Sequence, residues 1–197
     1  MGAAVFLAAV LFGVRTLRAQ DDGSDESKIR RGFEIAPVPL NLAHKNRALV
    51  GLGSYIVNGV SGCNGCHSAG PQTEFLPGGN PYFGQAEAIN PATYLGGGRD
   101  FGPYPSPASP THIISRNLTP DHTGLPIGGD TFEEFRDTIR TGVDPDQLHP
   151  NLPPPFAGTL LQIMPWYEYK NMTDRDLRAI YEYLSAVPCH AGPNHVC

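Results

Sequence analysis

Five consecutive residues, Cys63-Asn64-Gly65-Cys66-His67, restrict this 197-residue chain more than any other feature. Two thiols three positions apart fall on one turn if the segment is helical, with the histidine directly after them. That spacing suits four uses: a redox dithiol, a local disulfide, half of a zinc site, or attachment of a haem through two thioethers with the histidine beneath the iron. A redox dithiol of this kind sits at a βα junction, and no βαβ pattern is visible in the chain. Zinc would need two further ligands, and the remaining cysteines, Cys189 and Cys197, are spaced too loosely for the usual second pair.

The compartment helps to choose among these. Ala3 to Val14 is an uncharged run, followed by Arg15, Arg18, Ala19 and an acidic stretch from Asp21 to Glu26. The pattern reads as a secretory signal peptide over residues 1–19, with its arginines placed after the apolar run instead of before it. Twelve residues span only ~18 Å as a helix, against ~30 Å of hydrocarbon, so a membrane tether follows only if this segment stays uncleaved. The exported chain is expected in the periplasm or an equivalent oxidising compartment, where C-x-x-C-H reads as a c-type haem attachment site. There, Cys189 and Cys197 flank a Gly/Pro-containing segment able to curl back, and a disulfide between them is expected. The formal charge is −5, and it becomes −7 without residues 1–19, which hold two arginines and no acid. No basic stripe is present, which argues against nucleic acid and favours a protein partner with a basic docking face.

Residues 20–45 are polar, then Pro-containing, and read as a flexible leader or tether with little order. From Asn46 to Val60 the pattern turns helical, with Leu49, Leu52 and Ile56 on one face and Gly51 and Gly53 placed to let another backbone come close. Sixteen of the 43 positions from 68 to 110 are Gly or Pro, so this stretch reads as a long coil that wraps something. Thr131 and Glu134 form a capping box for a helix ending at Gly142, with Phe132, Phe135 and Ile139 facing inward. After a second coil over 143–172, a Thr173 cap opens a third helix to about Ala186, whose buried stripe is Leu177, Ile180, Tyr181 and Leu184. Nothing reads as a sheet. The expected fold is all-α, a few helices with long loops in one domain over 46–188 and a tail over 189–197.

With its single C-x-x-C-H, the chain resembles the class I c-type cytochromes, most closely the single-haem domains in cytochrome subunits of periplasmic dehydrogenases. The resemblance runs through Gly53-Ser-Tyr55, Cys63 to His67, Gly97-Gly-Arg99, Asn117-Leu-Thr-Pro-Asp121, Glu133-Glu-Phe135, Arg140-Thr-Gly142, Met164-Pro-Trp166 and Asp174 to Leu184. It implies a cytochrome c-like fold around one covalent haem c, with the first and last helices crossing closely, Gly53 and Tyr55 against Tyr181 and Leu184. It implies Cys63 and Cys66 as thioether positions, His67 as one axial ligand, and Met164, in the loop before the last helix, as the other. Met172 abuts the helix cap and fits less well; His149 is the competing ligand. Arg99, Tyr94 and Trp166 are candidates for the haem propionates, with packing on the porphyrin edge as the alternative for Tyr94 and Trp166. Asn117 either bonds near the methionine sulfur or caps a turn, and Pro71 or Pro77 is expected to accept the His67 N–H. The other histidines, His190 and His195 included, are expected at the surface.

An iron closed on both sides leaves one-electron transfer as the function, an electron carrier or the electron-transfer subunit of an oxidoreductase complex, with no catalytic residue of its own and with a periplasmic dehydrogenase or terminal oxidase as redox partner. A five-coordinate haem enzyme or a gas- or peroxide-binding protein is the alternative if Met164 is not bound. A zinc-binding interaction module using all four cysteines is the third.

Overall fold

The computed structural model describes residues 25–144, 152, 154–156, 158, 160–192 and 195–197. The expected signal peptide and His149 lie outside them.

Asn46 caps the first core helix, α2 (Arg47–Ser54), by accepting from Leu49 N at 3.2 Å, and its inward face buries Val50 and Leu52. The helix continues without a break into a π-helical turn, Tyr55–Val60. Thr173 caps the last helix, α7 (Asp174–Leu184), in a reciprocal box with Asp176, and α7 buries Leu177, Ala179, Ile180, Tyr181, Tyr183 and Leu184. The two helices cross at Gly53, where a Cβ would stand 1.9 Å from the Ala179 carbonyl oxygen and 2.7 Å from Tyr183 Cβ. The close crossing expected from the sequence is therefore present, with partners one or two residues earlier on α7 than expected: Ala179 and Tyr183 meet Gly53. Fully burying each of Val50, Leu52, Leu177 and Leu184 contributes roughly 1.5–3 kcal/mol, which concentrates stability at this crossing.

Helix α5 (Phe132–Thr141) has the capping box between Thr131 and Glu134 and ends at Gly142, whose φ of 74° closes the last turn. Phe132 and Phe135 meet Tyr181 of α7, the first edge-on at 5.6 Å between ring centroids. The short α6 (Trp166–Tyr169) lays Trp166 over Gly142, where a Cβ would be 2.2 Å from the indole ring. Two one-turn helices, α3 (Asn64–His67) and α4 (Pro71–Glu74), follow the π-turn.

Two expectations change. The chain is mostly helical but not all-α, because Asp100–Pro103 (β1) and His112–Ile114 (β2) pair antiparallel with an irregular register. Strands of four and three residues around a Pro-rich tip are too short to show a period of two. Residues 25–35 form a helix, α1, where a tether with little order was expected. Ile29 and Phe33 pack on the core, the Ser54 hydroxyl donates to Gly32 O at 2.7 Å, and Arg47 lies over the Phe33 ring at 4.5 Å. Downstream, Asn41 N donates to Ala186 O at 2.8 Å and Lys45 Nζ to Ser185 Oγ at 2.9 Å, tying the segment to the end of α7. With Ile29, Phe33 and Ile35 as its large apolar residues and Gly32 among them, α1 has little helical signature of its own; its order comes from tertiary contacts. Among the described residues no helix is long and apolar enough to cross a membrane.

Candidate functional site

The five-residue motif folds as one helical turn. Cys63 stands at the N-cap, and its carbonyl accepts from Cys66 N at 3.2 Å and His67 N at 3.0 Å. This places Cys63, Cys66 and His67 on one face. Both thiols are unpaired; Cys63 is partly buried and Cys66 exposed. Burial, reinforced by the neighbouring Cys66, pushes the Cys63 thiol up to about 12. A free Cys63 therefore stays protonated near neutrality, the opposite of what an attacking redox thiol requires.

His67 Nδ1 lies 2.7 Å from the Arg116 carbonyl oxygen. A carbonyl only accepts, so Nδ1 carries the proton and the lone pair is left on Nε2. Burial lowers the imidazole below its usual range, with the Arg116 carbonyl pulling weakly the other way, so the ring is held neutral and competent to ligate. The partner carbonyl is that of Arg116, not of Pro71 or Pro77.

Two loop segments cradle this turn. Leu95 N donates to Asn64 Oδ1 at 2.9 Å, Gly97 N to His67 O at 2.8 Å, and Leu118 N to Leu95 O at 2.9 Å. Gly97, at φ 69°, lies flat on the Arg116–Asn117 peptide; a Cβ there would be 2.5 Å from Arg116 C and Asn117 N. The Arg116 guanidinium is held by two carboxylates, with Nη1 3.1 Å from Asp144 Oδ1 and Nη2 3.2 Å from Asp130 Oδ1, both carboxylates being 7% exposed. Beside Cys63, Tyr94 OH donates to Asn58 Oδ1 at 2.5 Å and accepts from Tyr183 OH at 2.7 Å, while Asn58 Nδ2 donates to Tyr183 OH and to Ser54 Oγ, each at 3.1 Å. This closed circuit of hydroxyls and amide joins the π-turn, the loop and α7.

The remaining expected site residues fall as follows. Arg99 donates to Gly65 O within the motif and lies over the Phe101 ring. Tyr94 is buried with its hydroxyl committed to the circuit just described. Trp166 donates its indole N–H to Leu161 O at 3.1 Å. Asn117 caps a turn by accepting from Thr119 N at 2.9 Å, and its amide donates to His190 O at 2.8 Å. Met164 packs partly buried against the core just ahead of α6. Cys189 and Cys197 are joined in a disulfide, which removes them as zinc ligands. The tail they close docks on residues 117–122 through His195 Nε2, 2.9 Å from Pro120 O, so His195 is buried and not a surface residue.

Arg116, Asp130, Asp144, Asn58 and Tyr183 escape a reading of the sequence. Arg116 adjoins the Asn117-Leu-Thr-Pro-Asp121 stretch, but its acidic partners lie 14 and 28 residues away, a separation at which no local pattern operates.

The donor set fits a covalent haem: two unpaired thiols and a neutral, oriented imidazole on one face of one turn. Asn64 Nδ2 and Ser68 Oγ, flanking that face, are buried with no hydrogen-bond partner among the described residues. No family model and no solved structure matches the chain. Curated relatives do. It is 29% identical over 138 residues to the gluconate 2-dehydrogenase cytochrome c subunit of Pantoea cypripedii, covering 70% of this chain and 23% of that protein. It is 27% identical over 166 residues to the cytochrome c subunit of the quinone alcohol dehydrogenase of Gluconobacter oxydans (strain 621H), covering 80% and 27%. It is 26% identical over 156 residues to the fructose dehydrogenase cytochrome subunit of Gluconobacter japonicus, covering 78% and 24%. The chain thus spans about a quarter of the length of the relatives it matches.

Proposed function

We propose that this chain, which resembles a cytochrome c domain of dehydrogenase cytochrome subunits, is an exported one-electron carrier holding a single haem c. Cys63 and Cys66 form the thioethers, and His67 and Met164 are the axial ligands. The observation that carries this reading is the motif turn, with its unpaired thiols and an imidazole whose Nδ1–H is fixed on Arg116 O. The haem, once bound, supplies a reversible one-electron iron couple at low reorganisation. The polypeptide orients His67 through the Arg116 carbonyl, packs Met164 as a soft and apolar ligand, and keeps water from the buried side of the motif.

The domain extends over 46–188, with α1 packed beside it, and works in the periplasm, held to the membrane if residues 1–19 are retained. The names of its relatives point to a dehydrogenase as electron donor, with a terminal oxidase as the other candidate partner. A chain of charge −5 favours a basic docking face on that partner. The redox-dithiol reading is disfavoured by the raised Cys63 thiol, and the zinc reading by the Cys189–Cys197 bond.

The test is an absorption spectrum of protein matured with a cytochrome c assembly system. A c-type pyridine haemochrome with one haem per chain is expected, together with a weak near-red sulfur-to-iron band that disappears in Met164→Ala. Absence of bound tetrapyrrole overturns the reading. Rapid carbon monoxide binding by the wild type replaces Met164 ligation with an open iron.

A further inference from the structure

We infer that Arg116, gripped by Asp130 and Asp144, is a positioning residue that presses its own carbonyl onto His67 and so holds the reduction potential down. The inference rests on the ligand role proposed above for His67.

The Arg116 carbonyl lies in a loop, outside any regular element, yet it must stay within 2.7 Å of Nδ1. Two restraints fix it. Gly97 lies against the peptide, and the guanidinium of Arg116 itself is held through separate nitrogens of its planar fork by separate carboxylates. The carboxylates stand at opposite ends of α5: Asp130 immediately precedes the Thr131 cap, and Asp144 lies two residues past the Gly142 terminus. A rigid ten-residue helix therefore acts as a caliper whose jaws close on Arg116. The caliper is itself anchored, because Tyr181 OH of α7 donates to Asp130 O at 2.8 Å. Burial of both carboxylates keeps solvent from screening the contact.

Two consequences share a sign. A tight Nδ1–H···O contact raises the basicity of the imidazole and favours ferric iron. Two buried carboxylates near the ligand likewise favour the more positive state of the iron. Converting either carboxylate to an amide slackens the grip and withdraws one negative charge, so both effects move the potential upward.

The experiment uses the haem-loaded full chain. Asp144→Asn and Asp130→Asn are compared with Asp137→Asn, an exposed residue of α5 that delivers the same change in net charge. At a fixed ambient potential, Asp144→Asn is expected to shift the ferrous-to-ferric ratio roughly tenfold toward ferrous, ~59 mV for a one-electron couple, and Asp137→Asn less than about threefold. Solvent exchange of the His67 Nδ1 proton, followed by NMR in the ferrous state, is expected to accelerate about tenfold or more in Asp144→Asn, on the scale of other outer-partner losses. Arg116→Lys keeps the charge but loses the fork; it is expected to speed exchange with a smaller change of potential, and it serves as the test if the amide variants do not accumulate. Unchanged potential and exchange in a variant with full haem content overturns the inference. So does a shift in Asp137→Asn equal to that in Asp144→Asn, or wild-type exchange in Arg116→Lys. A wild type without haem is a different failure, that of the ligand reading.

Discussion

Replacing Gly97 with alanine separates two costs that coincide at this position. The residue sits at φ 69°, where an L-residue with a Cβ pays ~1–2 kcal/mol. Its Cβ would also stand 2.5 Å from Arg116 C and Asn117 N, both backbone atoms that cannot swing aside, and overpacking of that kind adds ~1–3 kcal/mol. Gly98, next in the chain, has φ 85° and open space around its would-be Cβ, so Gly98→Ala pays only the conformational part. The expected losses are about 2–5 kcal/mol for Gly97→Ala and about 1–2 kcal/mol for Gly98→Ala. In a chain of this length each kcal/mol moves the melting temperature by about 2–4 °C, so the two melts should separate by several degrees. Thermal unfolding followed by circular dichroism, with the visible spectrum as a second probe, makes the comparison. Equal melting temperatures for the two variants would refute the claim that Gly97 is reserved for the Arg116–Asn117 peptide.

Tyr183→Phe opens the buried circuit with Tyr94 and leaves Asn58 one partner short, at an expected cost of ~1–3 kcal/mol in denaturant unfolding; a change under ~0.3 kcal/mol would remove the circuit from the core's accounting. Replacing Cys189 and Cys197 together by serine reopens an eight-residue loop and should cost about 2.5 kcal/mol on the loop-entropy model, with faster amide exchange over residues 117–122; unaltered exchange there would mean the tail docks without its bond. Burial first, and then His195, hold His190 below the ordinary imidazole range. The unfolded chain therefore takes up that proton first, so the contribution is complete above the unfolded value of ~6.5 and is lost as pH falls below it. His190→Asn should flatten the dependence of the denaturant midpoint between pH 7 and pH 5, and an unchanged slope would assign that dependence elsewhere.

What could be read from the sequence was what neighbours in sequence decide. The capping boxes at Thr131 and Thr173, the inner face of α5 and the stripe of α7 each lie within a few residues of the group they serve, and each is where it was expected. The motif turn belongs to the same class, since one short segment supplies both thiols and the imidazole. Helix α1 and the β1–β2 ribbon were not legible because each is marginal alone. The helix takes its order from Phe33, Arg47 and Ser54, and the ribbon from a pairing across a Pro-rich tip.

The carbonyl that orients His67 marks the boundary between the two kinds of information. A proline just downstream of the motif is the expectation from the sequence, because it is close along the chain. The observed acceptor is 49 residues away. It reaches the imidazole only because Gly97 yields room for the peptide and because α5 carries a carboxylate at each end to seize the arginine. None of these residues is unusual for its own neighbourhood: the glycine suits a loop, one aspartate precedes a cap, the other follows a helix terminus. Their joint role exists only in three dimensions, where the helix length sets the distance between the carboxylates. The chemistry of the motif is thus local, while the tuning proposed for it is distributed. Substitutions distant in sequence should accordingly change the potential while leaving attachment at Cys63 and Cys66 intact.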